Sequence, residues 1–266
     1  RRLLRSGRLE VVGATYGQPL GNLHGAEANV RQLQWGVRVC RDLLGVTPRT
    51  FWEEEFYFFP QLPQLLRQMG FAGACLYFQR TWMDPSFPHE DSTCVVRWQA
   101  PDGSEVLAAA HTGLSRWMPG ALQPRDLADS PIAQRAAQPL IVEWNELAGP
   151  DPKGAEQYRP TYEAMERFGI KPTTLADYLA SYEGPAPVRA YRMDETFTGL
   201  PMGKAGDQVR RADKRIENTL TAAEALGAAA STDGIPYPAG ALTEAWRNLL
   251  IFQGHDVHIC EGCLRE

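Results

Sequence analysis

The alternation of predicted strands and helices in the first third of the chain constrains the fold more than any other sequence feature. Short apolar runs predict a strand at residues 9–13, a strand with its following loop at 50–59, and a strand at 73–78. Between them, apolar residues at helical spacing predict helices at 27–44 and 62–69. A chain that alternates in this way forms a parallel sheet or barrel with helices outside, so the sequence predicts an α/β fold.

The later part of the chain changes from mixed patterns to helical ones. Two alternating runs flank Asp102-Gly103 and predict a hairpin. Further along we expect a strand at 140–144, helices at 155–168 and 174–182, a turn at 183–187, and long helices at 207–229 and 242–252. The predicted domains are therefore an α/β domain over residues 1–190 and a helical domain over residues 191–266.

Charge and hydropathy exclude several classes of partner. The formal net charge of −5 and the pI near 5.6 give no basic field for nucleic acid or for an anionic membrane. No apolar run approaches the roughly 20 residues that span a bilayer. The five cysteines are an odd number in a chain too long to need a disulfide framework, which predicts reduced thiols and slightly favours the cytoplasm. Cys260 and Cys263 have the spacing of a zinc knuckle or a redox pair, but no second cysteine pair is nearby, so we expect unpaired thiols.

Five segments in chain order resemble the glycoside hydrolase family 38 α-mannosidases. The most specific is AWRNLLIFQGHD at residues 245–256, which is close to the family's A-W-R-x-L-L-x-x-Q-F-H-D. The other four are YGQPLGNLHGAEANVRQLQWG at 16–36, WEEEFYFFPQLPQLL at 52–66, RTWMD at 80–84 with VRW at 96–98 and DGS at 102–104, and FTG at 197–199 with DKRIENTLTAAEAL at 213–226.

The resemblance implies both an architecture and an activity. The architecture is a catalytic (β/α) barrel of about seven strands, whose N-terminal strand would precede Arg1, followed by a helical bundle. The implied activity is that of a retaining, zinc-assisted exo-glycosidase that hydrolyses α-mannosides in mannose-containing oligosaccharides or glycans. The implied cofactor is Zn²⁺, which we expect in the full-length protein rather than in this fragment alone.

The acidic loop after residue 52 carries the candidate nucleophile, which in the family also binds zinc. This position falls on Glu54 when counted back from Pro63, or on Glu55 when counted forward from Trp52, and either one replaces the family's aspartate. The added methylene exceeds the roughly 0.5 Å tolerance of a catalytic constellation, so either the loop is rebuilt relative to that of the family or the chemistry is altered. A solvated acidic loop without a catalytic role is the alternative.

The general acid/base has two candidates in EWNELAGP, residues 143–150. The family has a glycine-rich loop with an aspartate where this chain has Asn145, so Glu146 or Glu143 would have to replace it. An aromatic neighbour such as Trp144 raises the pKa of a carboxyl group by desolvation.

The resemblance also assigns metal and substrate contacts. His255 matches the family's zinc-ligand histidine and Asp256 the substrate-contact aspartate beside it, whereas the family's His-x-Asp ligand pair would precede Arg1. We expect His255 to converge on the acidic loop despite its distance in sequence. No motif is evident around His24.

Three further side chains complete the set of candidates. Arg80 matches a family arginine that contacts the nucleophile region, and we expect it to reach a carboxylate of the acidic loop. Trp52 and Trp144 offer flat faces to a sugar, or pack in the core.

Two other functions compete with hydrolysis of α-mannosides. A diverged, non-catalytic carbohydrate-binding homologue fits the replacement of Asp by Glu and the missing glycine-rich loop. A metal-dependent deacetylase or phosphate-ester hydrolase on a related barrel fits the acidic loop, but leaves the 245–256 segment unexplained.

Overall fold

The structure, a computed structural model, describes residues 2–52, 57–76, 94–109, 114–116, 134–143, 156, 159–193 and 206–259. Its helices are α1 (Arg2–Arg5), α2 (Ala26–Val39) with a π-helical extension (Cys40–Leu44), α3 (Leu62–Gln68), α4 (Arg159–Phe168), α5 (Leu175–Ala180), α6 (Gly206–Ser231), α7 (Ala239–Phe252) and α8 (His255–Ile259). Its strands are β1 (Thr50–Trp52), β2 (Gly73–Cys75), β3 (Val95–Gln99), β4 (Glu105–Ala109), β5 (Leu114–Arg116), β6 (Ile141–Glu143) and β7 (Val188–Arg189).

The main sheet has five strands in the order β1-β2-β4-β3-β7. Strands β1, β2 and β4 are parallel neighbours, β3 runs antiparallel to β4, and β7 is parallel to β3. Strands β5 and β6 form a separate parallel pair. The fold is therefore mixed α/β, as predicted, while a closed barrel of about seven strands stays a prediction.

The predicted hairpin is confirmed in β3 and β4, which pair antiparallel from Val95↔Ala109 to Gln99↔Glu105. Its turn uses Gly103 at a φ of 84°, a conformation that glycine adopts without steric cost. The Asp102 carboxylate accepts hydrogen bonds from both the backbone N–H and the hydroxyl of Ser104. The Asp-Gly pair predicts the turn because Gly103 adopts the backbone conformation that the turn needs and Asp102 accepts its hydrogen bonds.

Aromatic side chains fill the core beneath the sheet. Trp98 of β3 is fully buried and stacks on Phe58, with ring centroids 5.0 Å apart and planes 4° apart. On the opposite side α5 packs so tightly on β2 that a Cβ at Gly73 would lie 2.4 Å from Leu179 Cδ1. All three residues of β2 are buried, as expected of a parallel strand covered on both faces.

One predicted strand is wrong. Residues 9–13 are irregular, and Leu9 is half exposed, so this apolar run does not supply a core strand. The segment meets the sheet through a hydrogen bond from the Gly13 N–H to the Thr50 carbonyl, 3.2 Å long. The other predicted elements that fall in the described residues are present, some with shorter bounds and some, such as α6 and α7, with longer ones. Among these residues no helix is long and apolar enough to cross a membrane.

Candidate metal centre

The polar centre of the molecule lies where loop 14–25 and helix α2 meet helices α6, α7 and α8, a region we call the helical junction. Backbone contacts are unusually close there. A Cβ at Gly36 would lie 1.9 Å from the Ala14 carbonyl oxygen, and one at Gly17 would lie 2.3 Å from the Leu250 carbonyl oxygen. Only glycine fits at these two positions, so loop 14–25 lies in direct contact with α2 and α7.

Gln32, fully buried on α2, connects three segments of the junction. Its Oε1 accepts a hydrogen bond from the Gly17 N–H at 2.8 Å, and its Nε2 donates to the Leu250 carbonyl at 2.8 Å. A buried amide with both ends satisfied fixes the register of the elements it joins.

Arg31 provides the second link between α2 and the later helices. Its guanidinium pairs with Glu27 and with Glu224 of α6, each at 2.7 Å, and lies over the Trp246 ring at 4.1 Å. Residues 27, 31, 32 and 36 all carry the family resemblance of the first segment. Their contacts show that this segment holds helices together.

Glu217 of α6 caps the N-terminus of α2. Its carboxylate accepts hydrogen bonds from the Gly25 N–H at 3.0 Å and the Ala28 N–H at 3.2 Å, and is paired with Lys214. These N–H groups have no partner within the helix, so the capping carboxylate comes from another helix. A Cβ at Gly25 would lie 2.1 Å from Glu217 Oε1, which explains the glycine.

His255 begins α8 and is buried, with a 5 % exposed surface. Its backbone N–H and its ring Nδ1 lie 3.0 Å and 2.8 Å from the Gln18 carbonyl oxygen. Because a carbonyl only accepts, Nδ1 carries the proton and Nε2 is the nitrogen with a lone pair. Nε2 lies 3.5 Å from Oδ1 of Asp256, whose side chain is 81 % exposed.

A cluster of two histidines and one aspartate lies in the same junction. His24 precedes α2, Asp213 belongs to α6 and His258 to α8, and one donor atom from each lies within 4.8 Å of the other two. His24 Nδ1 is 2.8 Å from Asp213 Oδ2. The other oxygen of Asp213 accepts a hydrogen bond from Gln253 at 2.9 Å. Imidazole and carboxylate are ordinary zinc ligands, so the cluster has the donor set of a metal centre.

The environment of the cluster shifts two pKa values. The pKa of His258 is lowered to about 4, mainly by burial and also by the neighbouring His24 and Arg210, against the opposing effect of Asp213. Burial raises the pKa of Asp213, but its hydrogen bonds with His24 and Gln253 outweigh burial, so this pKa lies below its usual value. Both groups are therefore in the protonation states that bind metals at neutral pH.

Several residues predicted for the site are placed by the structure, and others are not. Trp52 ends β1, is half-buried and packs against the core cluster around Cys75. Glu143 lies at the carboxyl end of β6. Outside the described residues lie the Glu143 side chain, Glu54, Glu55, Arg80, Trp144, Glu146, Cys260 and Cys263. The predicted convergence of His255 with the acidic loop therefore stays a prediction.

The sequence did not point to the cluster, because its three members are separated by 189 and 45 residues and share no local motif. One signal was present: His258 follows His255 by three residues, which places both on one side of a helical turn.

Two protein-family models match the chain in order. The glycosyl hydrolases family 38 N-terminal domain matches residues 1–166, and the alpha mannosidase middle domain matches residues 205–259. The chain belongs to glycosyl hydrolase family 38. The resemblance that the five sequence segments carry is thus confirmed at the level of the family.

Two curated relatives are similar over almost the whole chain. Alpha-mannosidase 2C1 of Homo sapiens is 26% identical over 274 residues, which cover 97% of this chain and 25% of that protein. The protein of the same name from Mus musculus is 26% identical over 277 residues, with the same coverage. The chain therefore spans about a quarter of the length of these relatives.

Solved structures share the fold. An alpha-mannosidase from Enterococcus faecalis V583 superposes with a TM-score of 0.66 at 19% identity, over 98% of this chain and 31% of that one. A GH57-type branching enzyme from Pyrococcus horikoshii gives a TM-score of 0.65 at 14% identity, over 99% and 62%. The fold thus extends to a second group of carbohydrate-active enzymes.

Proposed function

We propose that this chain is part of a retaining, zinc-assisted exo-glycosidase that hydrolyses α-mannosides in mannose-containing glycans. The observation that carries the proposal is the match to two successive family 38 domains in chain order. The relatives named alpha-mannosidase support the substrate class.

The geometry of His255 supports a place for zinc. A histidine that binds a metal through one ring nitrogen usually donates the other N–H to a carbonyl or carboxylate. The Nδ1–H of His255 has such an acceptor in the Gln18 carbonyl, and this contact orients Nε2. We therefore assign His255 Nε2, together with the carboxylate of Glu54 or Glu55, as the zinc ligands supplied by this chain.

The strand order supports the position of the nucleophile. Trp52 ends β1 beside Cys75 at the end of β2, so the acidic loop follows in sequence from the carboxyl end of a parallel strand. Ligands of α/β sheets and barrels bind at this edge. Zinc, when bound, would polarise and orient the sugar hydroxyls at this edge. The finer architecture that we propose is a catalytic barrel over residues 1–190 and a helical domain over 191–266.

Hydrolysis with retention divides the chemistry between two carboxyl groups. The carboxylate of Glu54 or Glu55 attacks the anomeric carbon, while Glu146 or Glu143 gives its proton to the departing glycosidic oxygen. The same residue then removes a proton from water, whose oxygen displaces the carboxylate and restores it. Arg80 would keep the nucleophile ionised, and Asp256, Trp52 and Trp144 would contact the sugar.

Glu53 provides the control for an assay of the nucleophile, because it lies in the same loop and has no assigned role. In the complete protein, Glu54→Gln or Glu55→Gln should lower kcat on an aryl α-mannoside by several orders of magnitude, whereas Glu53→Gln should retain activity. The anomer released first, followed by NMR, should be the α-anomer. Full activity in both the Glu54→Gln and the Glu55→Gln variant would show that the acidic loop has no catalytic role. Saturable glycan binding without turnover in the unaltered protein would instead favour the non-catalytic homologue.

A further inference from the structure

The cluster of His24, Asp213 and His258 is a meeting point of three separate parts of the chain. The loop before α2 provides His24, α6 provides Asp213 and α8 provides His258. Their donor atoms come within 4.8 Å of one another only because the helical junction brings these elements together. His255 belongs to no such group of three among the described residues.

Burial makes the cluster unusual. The His24 and Asp213 side chains are 0% and 3% exposed, and His258 is 1% exposed. Nε2 of His24 and both ring nitrogens of His258 are buried without a hydrogen-bond partner in the described part of the chain. A buried polar atom without a partner destabilises the fold, because it has lost its hydrogen bonds to water. His24 and His258, which both have such unpartnered nitrogens, lie beside the Asp213 carboxylate.

A hydrogen-bonded His-Asp pair explains only half of the arrangement. The contact between His24 Nδ1 and Asp213 satisfies both partners. It provides no hydrogen bond to His258, although the His258 ring lies edge-to-face with that of His24, with centroids 5.4 Å apart. A cation bound by one nitrogen of each imidazole would give the unpartnered nitrogens of His24 and His258 the partner that the hydrogen bond with Asp213 does not provide.

The surroundings are those of a metal-binding carboxylate. Asp213 Oδ1 accepts a hydrogen bond from Gln253 Nε2, and Gln253 Oε1 lies 3.4 Å from Gln32 Nε2. Ligating carboxylates are commonly held by hydrogen bonds of this kind, and an apolar shell around the site limits water. Phe252 provides part of that shell, with its ring centroid 5.6 Å from that of His258.

The distances need only small side-chain movements. Ligand atoms on a tetrahedral zinc lie roughly 3.4 Å apart, given bonds of about 2.0–2.1 Å. The donor atoms of the cluster lie at most 4.8 Å apart, so their separations would close by roughly 1.4 Å or less.

We propose that His24, Asp213 and His258 bind a divalent transition metal ion, zinc by preference, at a site that does not include His255. Two imidazoles and one carboxylate suit zinc better than calcium or magnesium, which prefer oxygen ligands alone. Three protein ligands leave a fourth position for water. Such an ion would link loop 14–25 to α6 and α8.

Metal content, not activity, tests the site, because activity would also report on the proposed zinc site at His255. The parent protein is the 266-residue chain carrying His255→Gln, freed of metal by a chelator, incubated with Zn²⁺ and cleared of excess ion. Elemental analysis should find one zinc per chain. Cobalt in place of zinc should give the visible absorption of a low-coordinate nitrogen and oxygen site.

Variants of the parent identify the ligands. His258→Leu and Asp213→Asn should each weaken zinc binding by more than about 100-fold, because even partners behind the ligands are worth about 10–100-fold. Gln253→Leu should weaken zinc binding by only about 10–100-fold, because Gln253 acts through Asp213. Glu217→Gln removes a buried carboxylate from the same helix and should bind zinc as the parent does.

Two outcomes would overturn the proposal. One is a parent that retains no zinc while the chain with His255 intact binds it. The other is undiminished binding in His258→Leu, measured after circular dichroism shows that it is folded. His258→Leu decides the test if Asp213→Asn does not fold, because leucine places an apolar group where the imidazole has no hydrogen bond to lose.

Discussion

The sheet and the helical junction are stabilised by different kinds of contact. Among the described residues, every buried polar or charged side chain except Thr50 lies in the junction. The sheet is packed by apolar and aromatic side chains such as Phe58 and Trp98. Apolar packing depends on volume and changes little with pH. Buried polar contacts depend on partners and protonation, so the junction is the region where solution conditions should change stability.

Removal of the Trp98 ring should produce the largest effect, on the sheet side. Trp98→Ala leaves a cavity beside Phe58 and should lower the free energy of unfolding by about 3–5 kcal/mol in urea titrations followed by circular dichroism. Trp98→Phe is the matched control. It should lower the free energy of unfolding clearly less, because it keeps an aromatic ring and the indole N–H has no partner to lose among the described residues. Equal losses in both variants would show that ring volume is not what stabilises this core.

Acid should destabilise the junction through His258. In chelator-treated protein the pKa of His258 is about 4, against about 6.5 in an unfolded chain. Between these values the unfolded chain binds more protons, so stability falls as the pH falls. The contribution is about 3 kcal/mol between pH 7 and pH 4. Plots of unfolding free energy against pH should be shallower for His258→Leu, and identical slopes for the two proteins would contradict the assignment.

Loss of the capping carboxylate should open the first turn of α2. Glu217→Ala leaves the Gly25 and Ala28 N–H groups without an acceptor and should cost about 2 kcal/mol. Hydrogen exchange followed by mass spectrometry should show faster exchange at residues 25–28. The control is Glu224→Ala on the same helix, whose partly exposed ion pair with Arg31 is worth below about 1 kcal/mol. Unchanged exchange in Glu217→Ala would show that the Glu217 carboxylate does not stabilise the first turn of α2.

The smallest effect is expected at the link between α2 and Trp246. Arg31→Lys keeps the charge but loses the guanidinium plane that stacks on the ring and bonds two carboxylates, so we expect a loss of about 1 kcal/mol. Arg38→Lys, in an exposed pair with Asp42, should change stability by less than about 0.5 kcal/mol. Equal thermal shifts in the two variants would mean that the stacking contributes nothing.

Sequence reasoning succeeded where the signal was local. The hairpin followed from Asp102-Gly103, and helix α6 followed from an Ala- and Glu-rich run, because each depends on neighbours in the chain. The apolar run at residues 9–13 predicts a strand but is irregular in the structure, because exposure depends on what lies nearby in space. Five family-like segments identified the family, since they combine many local matches.

The contacts of the helical junction were beyond such reasoning. His24 lies in no recognisable motif, and Asp213 only begins a family-like segment. What joins them is the packing of α6 against the loop before α2, which no spacing along the chain encodes. His255 was found because its neighbours form a continuous motif, whereas its geometry at Gln18 was not foreseeable.

The acceptor that fixes the His255 ring is a main-chain carbonyl, and this affects how mutational scans of the region should be read. Every amino acid at position 18 supplies that carbonyl, so Gln18→Ala retains the contact. Position 18 has a φ of 49°, which disfavours alanine and glutamine to a similar extent, while glycine would relax it. An alanine scan would therefore score the position as neutral. Its contribution would show only in changes of chain length, such as a one-residue deletion between Gly17 and Leu20, which shift the carbonyl itself.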